Sequence, residues 1–196
     1  MRQYRFGFLT TSDIELVELF KAWVAMSVAF GILLLREASA VELIKTFGIA
    51  AVTVGTGFLL HELAHKIVAQ HYGCFAEFRS DTKMLLFAIF TSLFGFLFAA
   101  PGAVMIYGHI SKKENGIVSM FGPIMNIVIA LLFLVLSLQH PSELYQYGYR
   151  INSWLAVFNM LPFSIIDGAK VWRWNKAVYG AVMALAIGVL MLQYAL

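Results

Sequence analysis

Two histidines and a glutamate, His61, Glu62 and His65, form the pattern His-Glu-x-x-His inside an otherwise apolar stretch of the chain. On a helix, residues four apart lie one turn above one another on the same face, so both imidazoles can bind one metal ion. Glu62 projects beside them, where a carboxylate can act as a general base. This combination is typical of zinc hydrolases. Chance matches to so short a pattern are common, but an ionisable cluster in apolar surroundings is costly unless it has a purpose.

The composition indicates a membrane protein. Of the 196 residues, 61% are hydrophobic and only 13% are charged, and the mean hydropathy is +0.80. Soluble domains carry about 25% charged residues, so we expect a single all-α, polytopic membrane domain over residues 1–196. The one cysteine, Cys74, excludes an intrachain disulfide. It is best explained as a small residue after the motif helix, with a thiolate ligand as the alternative. The net charge of +3 gives no indication of nucleic-acid binding.

Apolar runs predict about five transmembrane helices and one further membrane-inserted segment. The capping-box pattern Ser12-Asp-Ile-Glu15 begins the first helix, and Gly73 is a C-cap for the motif helix. The core spans 46–168 and is flanked by two peripheral helices. The predicted spans are 13–35, the motif helix from about 46 to Gly73, 115–142, 151–166 and 177–196.

A catalytic zinc site takes three protein ligands and leaves the fourth position for water, and His71 is one candidate for the third. It stands ten residues after His61, as in the metzincin pattern, which needs a glycine to turn the chain back. This chain has Val68 there. On a continued helix His71 lies about 240° round from His65 and faces away, so an interfacial position is the better interpretation.

The other candidate is Asp167, at the end of the apolar run 151–166. An unpaired carboxylate at that depth requires a cation or a water-filled site. Pro162 and Gly168 loosen the chain around it, which lets the side chain turn inward and another backbone approach. We therefore expect Asp167 to be the third ligand. The alternative is an ordinary interfacial aspartate with Lys170 or Arg173 as its partner.

This choice imposes a condition on the topology, because Asp167 and the end of the motif helix must lie on the same side of the membrane. That is possible if segment 84–111 enters the membrane and returns, turning near Pro101-Gly102. Basic residues collect in cytoplasmic loops. With the N-terminus and the active-site opening cytoplasmic, the outer side keeps only Arg36, Lys45 and Arg150, and the inner side collects Arg2, Arg5, Lys21, Lys66, Arg79, Lys83, Lys112, Lys113, Lys170, Arg173 and Lys176.

Three motifs make the chain resemble the site-2 protease family of intramembrane zinc metalloproteases. Each is weak or moderately specific alone, but all three in order, each in an apolar run, are highly specific and cover about 57–168. In the third motif Ile166 stands where leucine is usual. The motifs are His61-Glu62-Leu-Ala-His65, Gly122-Pro123-Ile-Met-Asn126 and Asn159-Met-Leu-Pro162-Phe-Ser-Ile-Ile166-Asp167-Gly168.

The resemblance implies one Zn²⁺ per chain, with Glu62 as the general base and three ligands, His61, His65 and Asp167. It also implies that Asn159 helps to hold the substrate strand or the developing oxyanion. Asn126 has two interpretations, a similar substrate or oxyanion role and a hydrogen bond between helices. Gly122 and Pro123 are interpreted as close-packing and kink residues. The length favours a prokaryotic or archaeal type without a PDZ or cystathionine-synthase-like domain.

We therefore expect a multi-pass zinc metalloendopeptidase of the cell membrane. Its substrates are expected to be single-span membrane proteins or peptides, cleaved in regulated intramembrane proteolysis within the lipid bilayer. One departure is the length of 84–111, which exceeds the segment expected between the core helices. The alternatives are a membrane metal-ion carrier or sensor and a catalytically silent pseudo-protease. Glu62 favours the enzyme, because a carrier does not require a general base beside two ligands.

Overall fold

Helices and two small two-stranded sheets make up the fold of this computed structural model, which describes residues 2–35, 42–97, 101–163 and 166–194. In chain order the elements are β1 (Gln3–Phe6), β2 (Leu9–Ser12), α1 (Asp13–Leu35), α2 (Leu43–Ala50), a π-helical turn (Ala51–Gly55), α3 (Thr56–His71), β3 (Phe75–Ser80), α4 (Thr82–Leu93), β4 (Gly102–Tyr107), α5 (Lys112–Gln139), α6 (Glu143–Asn159), α7 (Asp167–Trp174), α8 (Lys176–Met191) and a 3₁₀ turn (Leu192–Tyr194).

Within the described residues, four helical stretches are long and apolar enough to cross a membrane: Asp13–Leu35, Leu43–His71, Lys112–Gln139 and Lys176–Tyr194. The chain is thus an all-α polytopic membrane protein with two small accessory sheets, as its composition predicts. The predicted fifth span, 151–166, is wrong in its bounds. Helix α6 begins eight residues earlier, ends at Asn159 and has only 17 residues.

Local sequence signals explain where the long helices begin and end. Ser12 Oγ accepts the Glu15 backbone N–H at 3.2 Å at the start of α1. A full capping box between Ser111 and Glu114 begins α5. Gly73 adopts a positive φ of 78° just after α3, as a C-cap requires.

The core helices run antiparallel, which brings their functional ends together. His61 bonds Asn126 and His65 bonds the Val118 carbonyl, so α3 and α5 run in opposite directions. Helix α6 then returns along α5, with Asn152 bonded to Asn126. The end of α3, the start of α5 and the end of α6 therefore lie at one end of the bundle, as the proposed third ligand requires.

Segment 84–111 leaves and rejoins the bundle at one place, because β3 and β4 pair antiparallel from Phe75↔Tyr107 to Ser80↔Gly102. The predicted turn near Pro101-Gly102 is wrong. These residues close the excursion instead, and the Pro101 carbonyl accepts the Asp81 N–H at 3.1 Å. Gly102 permits this closure because a Cβ there would overlap the Arg79 carbonyl. Insertion of the segment into a membrane stays a prediction.

A buried ion pair joins the first helix to the motif helix. Glu15 is fully buried and pairs with the buried Lys66 of α3. The same carboxylate accepts the Phe78 N–H of β3 at 2.9 Å and the Thr11 hydroxyl at 2.7 Å. One side chain thereby connects α1, α3 and the second sheet.

Removal of Glu15 should strongly destabilise the protein, because Lys66 would remain buried without a partner. We expect Glu15→Ala to lower the free energy of unfolding by about 3–5 kcal/mol, measured by thermal unfolding in detergent. The control is Glu42→Ala, which should lower it by no more than about 1 kcal/mol, since that carboxylate is half-exposed and lies 4.0 Å from Lys45. Equal melting temperatures for the two variants would contradict the assignment.

Candidate active site

The structure brings together the three residues predicted as metal ligands. Nε2 of His61 and Nε2 of His65 lie 3.0 Å apart, and Asp167 Oδ2 lies 3.3 Å from the first and 3.0 Å from the second. Within the described part of the chain, this is the one group of three or more His, Cys, Asp or Glu side chains that could hold a metal ion. His71 and Cys74 lie outside it, and His71 instead contacts the aromatic ring of Phe8.

Asp167 reaches the histidines from the first turn of a separate short helix, which corrects its predicted position at the end of a span. Helix α6 stops at Asn159, and Asp167 begins α7. Pro162 disfavours continuation of α6. Gly168 lets α7 pack against the preceding turn, because a Cβ there would overlap the Met160 carbonyl. The predicted close backbone approach at Gly168 is therefore confirmed, although Ser164 and Ile165 lie outside the described residues.

Each candidate ligand is oriented by a second contact. His61 Nδ1 lies 2.6 Å from Asn126 Oδ1, and His65 Nδ1 lies 2.8 Å from the Val118 carbonyl. Because both acceptors take the Nδ1 proton, both Nε2 atoms keep a lone pair for a metal. Lys170 Nζ lies 3.2 Å from Asp167 Oδ1, which leaves Oδ2 directed at the histidines. The alternative partner of Asp167 is therefore present as well, on its other oxygen.

The charge on Asp167 suits metal binding. Asp167 is buried, and Lys170 beside its other oxygen stabilises the ionised carboxylate. Two imidazoles and one carboxylate are a donor set typical of catalytic zinc. Three acceptor atoms about 3 Å apart also repel one another unless a cation or proton lies between them. The residues present therefore fit Zn²⁺.

Gly122, from the second motif, lies directly against the site. A Cβ at this position would overlap both Nε2 of His65 and Nε2 of His61. The predicted close-packing role of this glycine is thus specific, because it keeps the metal-facing side of the two rings open.

A cavity of about 390 Å³ contains Glu62 and the three candidate ligands. Glu62 is buried, with 9% of its surface exposed, and stands beside the histidines as predicted. The polar residues of its lining include Asn115, Ser119 and Asn159. Its apolar lining includes Met26, Phe30, Val54, Phe58, Trp154 and Phe158. The site can therefore admit water and an apolar chain together.

The two asparagines predicted to contact substrate differ in their positions. Asn159 lines the cavity, and its amide donates to the Leu155 carbonyl at 2.9 Å; its substrate role stays a prediction. Asn126 is fully buried, and its amide nitrogen donates to the Gly57 carbonyl and to Asn152. Its two amide hydrogens are occupied, so the structure favours the interhelical role over the oxyanion role.

The sequence reasoning missed Asn152. Asn152 is fully buried between three helices. An asparagine within an apolar helix is a signal for an interhelical hydrogen bond, and this signal was available from the sequence.

A His-Glu-x-x-His helix with a distant carboxylate as third donor, held within membrane-type helices, defines the metallopeptidase class of site. The chain is 41% identical over 152 residues to the protein named "Putative zinc metalloprotease MJ0611" of Methanocaldococcus jannaschii, a match that covers 74% of this chain and 80% of the relative. The chain therefore belongs to this family of zinc metalloproteases, which is the site-2 protease-like family that its motifs resemble. No family model and no solved structure matches the chain.

Adding one methyl group at Gly122 should abolish metal binding. We expect Gly122→Ala to lose its bound zinc, because the Cβ would occupy the space in front of both Nε2 atoms. Metal analysis of the purified protein tests this. Gly180→Ala is the matched control, since a Cβ there meets nothing within 4 Å, and it should retain the wild-type content. Full zinc occupancy in Gly122→Ala would contradict the geometry.

Proposed function

We propose that this protein is an intramembrane zinc metalloendopeptidase that cleaves membrane-spanning proteins or peptides. One observation carries the proposal: two imidazoles, a carboxylate ligand and a second carboxylate, Glu62, converge on one buried cavity between apolar helices. The family relationship supports the protease activity. The length and apolar character of the surrounding helices support a site within the membrane.

In this mechanism His61, His65 and Asp167 would hold a zinc ion, which would supply Lewis acidity and favour a nucleophilic water near neutral pH. Glu62 would accept a proton from the attacking water and return it to the leaving amine as the peptide bond breaks. Asn159 is proposed to orient the substrate at the cavity wall.

We propose that the end of the bundle nearest the site faces the cytoplasm. Basic residues are enriched on the cytoplasmic side of membrane proteins, and the elements that begin or end here carry most of those in the chain. Lys45 lies at the opposite end, where it pairs with Glu143 at 2.8 Å. The polar residues of the cavity lining, among them Lys170 and Asn115, then provide the path for water.

The substrate is proposed to bind as an added strand on the free edge of β4. The far edge of β3 is already occupied, because its Phe78 and Ser80 N–H groups donate to Glu15 and Glu18. In an antiparallel pair, residues whose backbone groups point away from the partner strand alternate with residues whose backbone groups bond it, and directly opposite residues behave alike. Val104 and Ile106 therefore direct their backbone groups away from β3, to an edge with which no described strand pairs. The Val104 N–H reaches Glu62, and both residues line the cavity. An unwound peptide bonded to this edge lies beside Glu62.

Glu62→Gln should retain zinc and lose cleavage of a membrane-spanning substrate by a factor of about 10² to 10⁴, since the amide cannot accept the proton. Cleavage in proteoliposomes and metal analysis measure the two effects. Glu143→Gln, at the opposite end of the bundle, should cleave at the wild-type rate. If Glu62→Gln cleaves normally, Glu62 is not the base. Zinc transport across the vesicle without cleavage in the wild type would instead favour the carrier.

Ile106→Pro should weaken substrate binding, because proline removes one backbone donor from the free edge of β4. One lost hydrogen bond corresponds to about a 2- to 10-fold rise in KM, with the zinc content unchanged. Ile106→Val is the matched control, since it keeps the N–H and should bind normally. A KM that is equal in the two variants would exclude pairing at this position.

A further inference from the structure

A continuous series of buried hydrogen bonds leads from the metal site to the far side of α6. His61 bonds Asn126, and Asn126 donates to Asn152 Oδ1 at 3.1 Å. The Asn152 amide nitrogen donates in turn to the Gly148 carbonyl at 2.9 Å and to the Thr53 carbonyl at 3.4 Å. Both asparagines are fully buried.

The two backbone carbonyls at the end of this series, those of Gly148 and Thr53, fix the direction of every hydrogen bond in it. Backbone carbonyls can only accept hydrogen bonds, so the Asn152 amide nitrogen must face Gly148 and Thr53, and its oxygen must face Asn126. Asn126 then donates to that oxygen and turns its own oxygen to His61. An oxygen at this position requires the proton on His61 Nδ1, which leaves Nε2 as the metal-facing lone pair.

Two local features let Asn152 reach this position. Gly57, at the start of the motif helix, lies so close to α6 that a Cβ would overlap Asn152 Oδ1. Thr53 belongs to the π-helical turn just before α3, and such turns are often found at functional sites. The backbone around the motif helix is therefore shaped to receive an asparagine from α6.

We propose that Asn152 is a positioning residue for the metal centre and acts on His61 through Asn126. Together with the Gly57 carbonyl, which accepts the other Asn126 N–H at 3.3 Å, it keeps Asn126 from rotating its amide group by half a turn, which would present an N–H to His61 and favour the tautomer with a proton on Nε2. Asn152 lies outside the three sequence motifs. The inference rests on the proposed role of His61 as a zinc ligand.

An aspartate at position 126 separates this role from helix packing. Its two carboxylate oxygens both accept hydrogen bonds, so either orientation takes the proton of His61 Nδ1 and nothing has to fix it. If Asn152 acts through the orientation of Asn126, its replacement has no effect on zinc binding in an Asn126→Asp background. If Asn152 only packs the helices together, the effect of its replacement is the same in both backgrounds.

The experiment is a double-mutant cycle on the zinc dissociation constant, measured by chelator competition with the detergent-solubilised full chain. We expect Asn152→Leu to weaken zinc binding about 10-fold, in the range known for contacts that orient ligands. The affinity of Asn126→Asp serves as the reference for its own background, and we expect the Asn126→Asp/Asn152→Leu double variant to match it. A wild-type affinity in Asn152→Leu, or an equal loss in both backgrounds, overturns the proposal.

Three further variants complete the test. Ser153→Ala should leave zinc binding unchanged, because Ser153 is buried on the same helix and donates to the Tyr149 carbonyl, outside the series that leads to His61. If Asn152→Leu does not fold, Gly57→Ala displaces Asn152 without removing it, and its loss of affinity must also disappear with Asn126→Asp. His61→Ala separates the two proposals: normal zinc binding there refutes the ligand role, whereas lost binding there with normal binding in Asn152→Leu refutes only the positioning role.

Discussion

The structure depends on the convergence of three acceptor atoms, from His61, His65 and Asp167, at separations of 3.0 to 3.3 Å in a buried cavity. In a medium of low dielectric these atoms repel one another strongly unless a cation lies between them. Four helices hold them there. Helix α3 supplies the imidazoles, α7 the carboxylate, and α5 and α6 the groups that orient them. The antiparallel core packing can therefore be understood as the means of bringing distant parts of the chain to one ion.

Glycines make this convergence possible because each removes a side chain where two elements approach closely. Gly122 opens the space in front of the imidazoles, Gly57 admits Asn152, and Gly168 lets α7 pack on the turn after α6. A methyl group at any of the three would overlap a ligand, its orienting residue or the backbone beside it. The close packing of the helices and the geometry of the metal site therefore depend on the same glycines. A substitution that changes the packing at one of them should also change metal binding.

The sequence predicted that His61, His65 and Asp167 meet, and it predicted the helical membrane class. Each leaves a one-dimensional signal: a four-residue spacing, an aspartate at the end of an apolar run, and long charge-free segments. It did not predict that Asp167 starts its own helix or that Pro101-Gly102 closes an excursion. Both features depend on backbone approaches between residues distant in the chain. The partners of Asn126 were also hidden, because an apolar run shows that a polar side chain is buried but not what it bonds.

The proposed function places the site within the bilayer, so water needs a polar path to reach it. His61 stands ten residues before the end of α3 and His65 stands six before it, which corresponds to about 15 Å and 9 Å along the helix axis. The hydrocarbon core of a bilayer is about 30 Å thick, so a site at this depth lies well below the surface. Water would have to reach it along protein groups, and Asn115, Ser119 and Lys170 line such a path. A peptide bond reaching the same depth within a helix keeps its own hydrogen bonds, so unwinding has to precede hydrolysis. In the proposed function the free edge of β4 would offer the replacement partners, and this would couple the small sheet to the chemistry at Glu62.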